Sequence, residues 1–212
     1  MTTRFIIIRH GETEWNLEGR EMGHLDSPLT KRGESQARSV ARRAEQSPPD
    51  FFYSSDLGRA VQTARIIAER TGNRVFFDQR LRERHMGIFQ GLTRAETEKQ
   101  FPHERAELLR LGAEYVIPGG ESAKQRVART VACLDSLAGN HPGKEIMVVT
   151  HSGILKGFLG YVLDLSYAST KKYSLPNAAW NTFLKDETGW KLETWGDLSH
   201  LVQSSSVGKR EI

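Results

Sequence analysis

Four consecutive apolar positions, Phe5 to Ile8, lie near the start of the chain, and three of them are isoleucine. A continuous run of this kind, rather than an alternating one, predicts a strand buried on both faces. It ends abruptly on Arg9-His10-Gly11. Downstream, "SPLTKRGESQARSVARRAE" predicts a helix capped by Thr30, with Ala37, Val40, Ala41 and Ala44 on one face. "PPDFFYSSD" predicts a second short strand, and Ser54, Ser55 and Asp56 are the capping residues expected before "LGRAVQTARIIAERTG". In that helix Leu57, Val61, Ala64 and Ala68 recur at helical spacing until Gly72, which places Arg59 in the first turn.

A third strand around Val75 to Phe77 leads into "DQRLRERHMG", and the pattern is then helical and polar from Thr93 to Leu111. Ser122 and Gln125, after "PGGES", have the spacing of a capping box for a helix that buries Val127, Val131, Leu134 and Ala138. "EIMVVT" predicts another buried strand running directly into His151, with a helix starting at Ser152-Gly153-Ile154. "AAWNTFL" and "WKLETW" flank a predicted hairpin turn at 186–189.

Strands alternating with helices predict an α/β fold: a three-layer α/β/α sandwich whose central sheet is mostly parallel. The expected organisation is one domain over residues 1–203, with a cap-like insertion at about 86–120 and a flexible tail at 204–212. In such sheets ligands bind beyond the carboxyl ends of the strands. His10 follows the first strand, Arg59 the second, Glu83 the third at a short distance, and His151 the "IMVVT" strand. Neighbouring strands would gather all four into one pocket.

Composition narrows the partners. Hydrophobic residues make up 38% of the 212 and charged residues 26%, and no apolar run approaches the eighteen or so residues of a membrane helix. The first strand begins right after Met1-Thr2-Thr3-Arg4, leaving no room for a secretory signal, so the expected location is cytoplasmic and no membrane partner is expected. Cys133 is alone in a helical pattern and is expected to be a small core residue. A net charge of +4 favours anionic ligands, but the aromatic residues do not interleave with a basic run, so nucleic acid is not expected.

Two arginines, two histidines and a carboxylate suit a phosphomonoester without a metal ion. Arg9 and Arg59 can clamp phosphoryl oxygens through paired N–H donors. A neutral imidazole at His10 can attack phosphorus if its other nitrogen is held by a hydrogen bond. Glu83 can deliver a proton to the leaving oxygen and later take one from water. A protonated His151 would stabilise charge on the transferring group. "VVTHSG" lacks the nucleophile elbow of serine hydrolases, and His24 and Asp26 have no further ligands at metal-binding spacing, so a loop role is expected for both.

"RHGETEWN", "SSDLGRAVQTA", "RLRERHMG", "PGGES" and "VVTHSG", in this order, resemble the histidine phosphatase superfamily in its phosphoglycerate mutase-like branch, over nearly the whole chain. The closing "WGDLSHL" is similar to small bacterial members of that branch. The resemblance implies the phosphoglycerate mutase-like fold, His10 as phosphohistidine nucleophile, Glu83 as proton donor and acceptor, and Arg9, Arg59 and His151 as phosphate-pocket residues. It adds Asn16 as a phosphate contact, and Met22, Gly23, Ser152 and Gly153 as pocket positions; Met22 replaces an expected glutamine.

The same resemblance implies that cofactor-dependent mutases carry a tyrosine after "ERH", a lysine shortly after, and an adjacent arginine pair in the cap. This chain has Met86, Arg94, and Arg110 followed by Leu111. The expected activity is therefore metal-independent phosphomonoester hydrolysis, with Met86 and the cap shaping substrate choice. The alternatives are a phosphoglycerate mutase and a non-catalytic phospho-ligand-binding protein. No cofactor is expected, apart from 2,3-bisphosphoglycerate in the mutase case. The expected partner is a small phosphorylated metabolite, and a homodimer is left open.

Overall fold

The computed structural model describes residues 1–202, and the predicted tail at 204–212 lies outside the described residues. Its strands are β1 (Thr3–Arg9), β2 (Phe51–Ser54), β3 (Val75–Phe77), β4 (Glu145–Thr150), β5 (Trp180–Asp186) and β6 (Gly189–Asp197). Its helices are α1 (Glu14–Glu18), α2 (Lys31–Glu45), α3 (Gly58–Thr71), α4 (Arg94–Gln100), α5 (Pro102–Leu111), α6 (Ala123–Asn140), α7 (Ser152–Val162), α8 (Tyr167–Thr170) and α9 (Ser199–Val202). The sheet order is β3-β2-β4-β1-β5-β6. β3, β2, β4 and β1 are parallel, and the β5–β6 hairpin adds two antiparallel strands.

The unbroken apolar runs of β1 and β4 follow from burial on both sides. Phe5, Ile7, Ile146 and Val148 pack with Leu134, Leu155 and Phe158 from α6 and α7. Ile6, Ile8, Met147 and Val149 pack with Val40, Ala64 and Ile67 from α2 and α3. Adjacent side chains on a strand point to opposite faces, so each strand feeds both layers of the sandwich.

Register decides what meets at the strand ends. Arg9 pairs with Thr150 and Ser54 with Val149, so β1, β4 and β2 finish side by side. The next residues are stitched together as well: His10 N donates to Thr150 O (2.9 Å) and Ser55 N to Val149 O (2.9 Å).

Two local expectations change. The helical, polar pattern from Thr93 to Leu111 is divided between two helices, because Pro102 cannot donate its nitrogen to a continuing ladder and Phe101 leaves helical geometry at φ −132°, ψ 56°. α3 is not capped by its preceding polar residues in the expected way: its N-cap is Leu57, without a side-chain bond. Asp26, far away in sequence, accepts from Gly58 N (2.7 Å) and Arg59 N (3.3 Å) instead. Thr30 caps α2 as expected, and Ser122 and Gln125 form the capping box of α6.

Candidate active site

At the carboxyl edge of the parallel strands lies a cleft of about 390 Å³. Arg9, His10, Asn16, Met22, Gly23, Arg59, Glu83, Met86, Ser152 and Gly153 all line it. His151 stands beside them, fully buried, with its ring centroid 5.3 Å from that of His10.

His10 is 2% exposed, and its Nδ1 lies 2.7 Å from the carbonyl oxygen of Gly11. A carbonyl only accepts, which assigns the ring proton to Nδ1 and leaves Nε2 with a free lone pair. Burial, then the charges of Arg59 and Arg9, push the His10 imidazole well below its ordinary range, so the free site holds a neutral ring. The main chain around it is braced from the other end of the protein. His10 O accepts from Asn177 Nδ2 (3.1 Å), which also donates to Asn16 Oδ1 (3.1 Å). Ala178 N donates to Arg9 O (3.0 Å), and Ala178 O in turn accepts from His200 Nε2 (3.0 Å). The "WGDLSHL" segment thus reaches the Arg9-His10 main chain through Ala178.

Both arginines are anchored at one end and open at the other. Arg9 Nη1 donates to Leu175 O (2.6 Å). Arg59 is 1% exposed, and its guanidinium donates to Gly23 O (2.9 Å), Leu25 O (2.8 Å) and Asp26 Oδ1 (3.0 Å). The Nε of each is buried without a hydrogen-bond partner. Buried donors without acceptors are costly, so a site that presents several of them is prepared for an anion.

Glu83 does not balance its neighbours in "RLRERH". Arg82 pairs with Asp56, and Arg84 donates to the carbonyls of Glu121 (2.9 Å) and Tyr115 (2.8 Å). The Glu83 carboxylate instead accepts from Arg84 N (2.7 Å) and Gly153 N (2.8 Å). Its own carbonyl is fixed by His24 Nε2 (2.8 Å) and Arg129 Nη2 (2.9 Å). Gly153 is required by this approach, because a Cβ there would overlap Glu83 Oε1.

The charged form of His151, on which the charge-stabilising role was conditional, is disfavoured in the free protein. Burial, then Arg59 and His10, push its imidazole well below the ordinary range, which keeps it neutral. Its Nε2 is 2.8 Å from Ser55 Oγ, whose oxygen already accepts weakly from Leu57 N (3.3 Å), so the hydroxyl proton is free to point at the ring. That assignment leaves the proton on Nδ1, which is buried and unpartnered. A neutral N–H still stabilises a negative oxygen, though less strongly than an imidazolium.

The remaining positions are equally specific. Met22 takes the place of the expected glutamine with its sulfur 3.5 Å from Thr13 Oγ1, a weak acceptor facing the capping residue of α1. Asn16 is oriented by the Thr13 N–H (3.2 Å) as well as by Asn177. Cys133 is buried in the core with its thiol pushed up to about 12, as suits an inert residue. Sequence reasoning missed Asp26 as the partner of Arg59, and also Ser55, Asn177, Arg84 and Arg126.

The model of the histidine phosphatase superfamily (branch 1) matches residues 5–198, and every block of the site falls inside that span. The chain belongs to the histidine phosphatase superfamily. The chain is 37% identical over 204 residues to phosphoglycerate mutase-like protein 4 of Arabidopsis thaliana, covering 94% of this chain and 87% of that one. Among solved structures, Bacillus stearothermophilus YhfR matches with a TM-score of 0.88 at 28% identity, covering 94% of this chain and 99% of its own. A mycobacterial glucosyl-3-phosphoglycerate phosphatase matches with a TM-score of 0.81 at 31% identity, covering 92% and 99%. The α/β architecture read from the sequence is therefore that of this superfamily.

Proposed function

We propose that this histidine phosphatase hydrolyses small phosphomonoesters through a phosphohistidine on His10, without a metal ion. The observation that carries the proposal is the hydrogen bond from His10 Nδ1 to Gly11 O, which leaves a neutral Nε2 facing a pocket with two unsatisfied arginine Nε donors. Nε2 attacks phosphorus, the ester P–O bond breaks, and Glu83 protonates the departing alkoxide. Water then attacks the phosphohistidine, Glu83 takes the water proton, and the N–P bond breaks to release phosphate and restore His10. Arg9 and Arg59 hold the phosphoryl oxygens, and the Nδ1–H of His151 adds a further donor.

Hydrolysis is favoured over mutase chemistry by the cap. Met86 offers no hydroxyl to the cleft, Arg94 lines it alongside Arg105 but is paired with Glu98 Oε1 (2.8 Å), and Arg110 pairs with Glu107 and does not line it. A mutase must retain a phosphoglycerate and exclude water between two transfers. The solved phosphatase among the similar structures agrees with hydrolysis, and the name of the Arabidopsis relative is what keeps phosphoglycerate mutase as the rival.

The discriminating experiment is steady-state assay of a metabolite panel with EDTA present. Stoichiometric phosphate release from at least one phosphomonoester is expected. Efficient conversion of 3-phosphoglycerate to 2-phosphoglycerate with little free phosphate would overturn the proposal.

A further inference from the structure

The peptide group between Glu83 and Arg84 is held at both edges. Its N–H donates to Glu83 Oε1 (2.7 Å). Its carbonyl oxygen, Glu83 O, accepts from Arg129 Nη2 (2.9 Å) and His24 Nε2 (2.8 Å), which occupies both lone pairs. A peptide group is planar and trans, so donors that fix its C=O also fix the direction of its N–H. The orientation of this one plane decides where the Glu83 carboxylate is met from its own segment, while Gly153 N (2.8 Å) meets it from α7.

Arg129 lies on α6 and does not line the cleft. Glu121 clasps it through two bonds, Nη2 to Oε1 (2.6 Å) and Nε to Oε2 (3.1 Å). A half-buried ion pair of this kind is weak evidence of stability by itself. Its remaining side-chain bonds, however, all fall on one segment. Besides Glu83 O, Arg129 reaches Arg80 O through Nη1 (2.8 Å), and Glu121 Oε1 accepts from His85 N (2.9 Å). The main chain of Glu121 joins in: its N–H donates to His85 O (3.0 Å), and its carbonyl accepts from Arg84 Nε (2.9 Å). Two side chains outside the cleft thus pin residues 80–85 at Arg80 O, Glu83 O and His85 N.

We propose that Arg129 and Glu121 are positioning residues for the reaction: by orienting the peptide group between Glu83 and Arg84, they set the Glu83 carboxylate for proton transfer. The proposal rests on the reading of Glu83 as proton carrier in phosphomonoester hydrolysis. The guanidinium suits this task because its fixed fork serves Arg80 O, Glu83 O and the Glu121 carboxylate at once, which the single ammonium of a lysine would do less firmly. A cation on the carbonyl also polarises the amide and strengthens its N–H as a donor to Glu83 Oε1. Neither residue lines the cleft, so their loss should weaken protonation of the leaving group and leave phosphate binding alone.

The test compares kcat/KM on phenyl phosphate, whose leaving group needs a proton, with kcat/KM on p-nitrophenyl phosphate, whose leaving group needs little. In Arg129→Gln and in Glu121→Gln, phenyl phosphate should lose at least about tenfold and p-nitrophenyl phosphate less than about threefold. The inhibition constant of inorganic phosphate should stay within about twofold, because the pocket itself is untouched. Arg129→Lys keeps the cation without the fork, so its loss should be smaller than that of Arg129→Gln but still selective for phenyl phosphate; it carries the test if the glutamine variants fail to fold. Equal losses on the two substrates, or no loss, would reduce the pair to a structural one and overturn the proposal. Glu83→Gln separates the two readings. If it slows both substrates alike, the proton-carrier reading falls and the positioning role with it; if it is selective while the Arg129 and Glu121 variants are not, only the positioning role falls.

Discussion

The proposed nucleophile and the proposed proton carrier of this site are each held by main-chain groups: His10 Nδ1 by Gly11 O, and Glu83 by the amides of Arg84 and Gly153. Main-chain partners cannot swing away, so the two reacting groups keep their geometry before substrate arrives. Gly153→Ala tests this directly, because the added methyl occupies the place of Glu83 Oε1. Proton transfer by a positioned carboxylate contributes about 10²- to 10⁴-fold, so displacing it should lower kcat on alkyl phosphates by about tenfold or more. Activated aryl phosphates, whose leaving groups need little protonation, should suffer much less. An equal loss on glycerol 3-phosphate and p-nitrophenyl phosphate would show that Glu83 is not the proton donor.

At the scale of elements, the strand ends that gather the site were legible because β1 and β4 are continuous apolar runs, and such runs are buried on both faces. Arg9, His10, Arg59, Glu83 and His151 converge because β1, β4 and β2 are neighbours, which the sequence could only suppose. What it hid were contacts between distant segments. Asp26 looked like a loop residue, yet it receives the first amides of α3 and the guanidinium of Arg59. Arg129 was indistinguishable from a solvated helix arginine until its bond to the Glu83 carbonyl was visible. Asp26→Ala should remove the cap and loosen Arg59 together. A lost cap costs about 1–2 kcal/mol, so melting should fall by roughly 2–8 °C, with a raised KM for phosphomonoesters. Unchanged melting and KM would show that α3 and Arg59 hold themselves.

For the whole molecule, burying two neutral histidines couples stability to pH. His10 and His151 are both held well below their ordinary range, whereas in the unfolded chain they protonate near pH 6.5. Below that pH the unfolded state binds more protons, so their stabilising contribution is present above about 6.5 and is lost as pH falls. Two such groups cost on the order of 2 to 3 kcal/mol by pH 5.5. Carboxylates held low, such as Asp56 and Asp197, enter only at more acidic pH. The melting temperature should therefore drop clearly between pH 7.5 and 5.5, and His151→Asn should flatten that slope in part, with His10, His24 and His200, also lowered by burial, supplying the rest. A melting temperature constant over this interval would mean that the rings are protonated in the folded protein. The central claim, that the phosphoryl group passes through His10, is tested most directly by brief exposure to a ³²P-labelled phosphomonoester followed by rapid quench. The protein should carry an acid-labile, alkali-stable phosphate that maps to His10 and is absent from His10→Ala. Undiminished hydrolysis by His10→Ala, or label on any other residue, would contradict it.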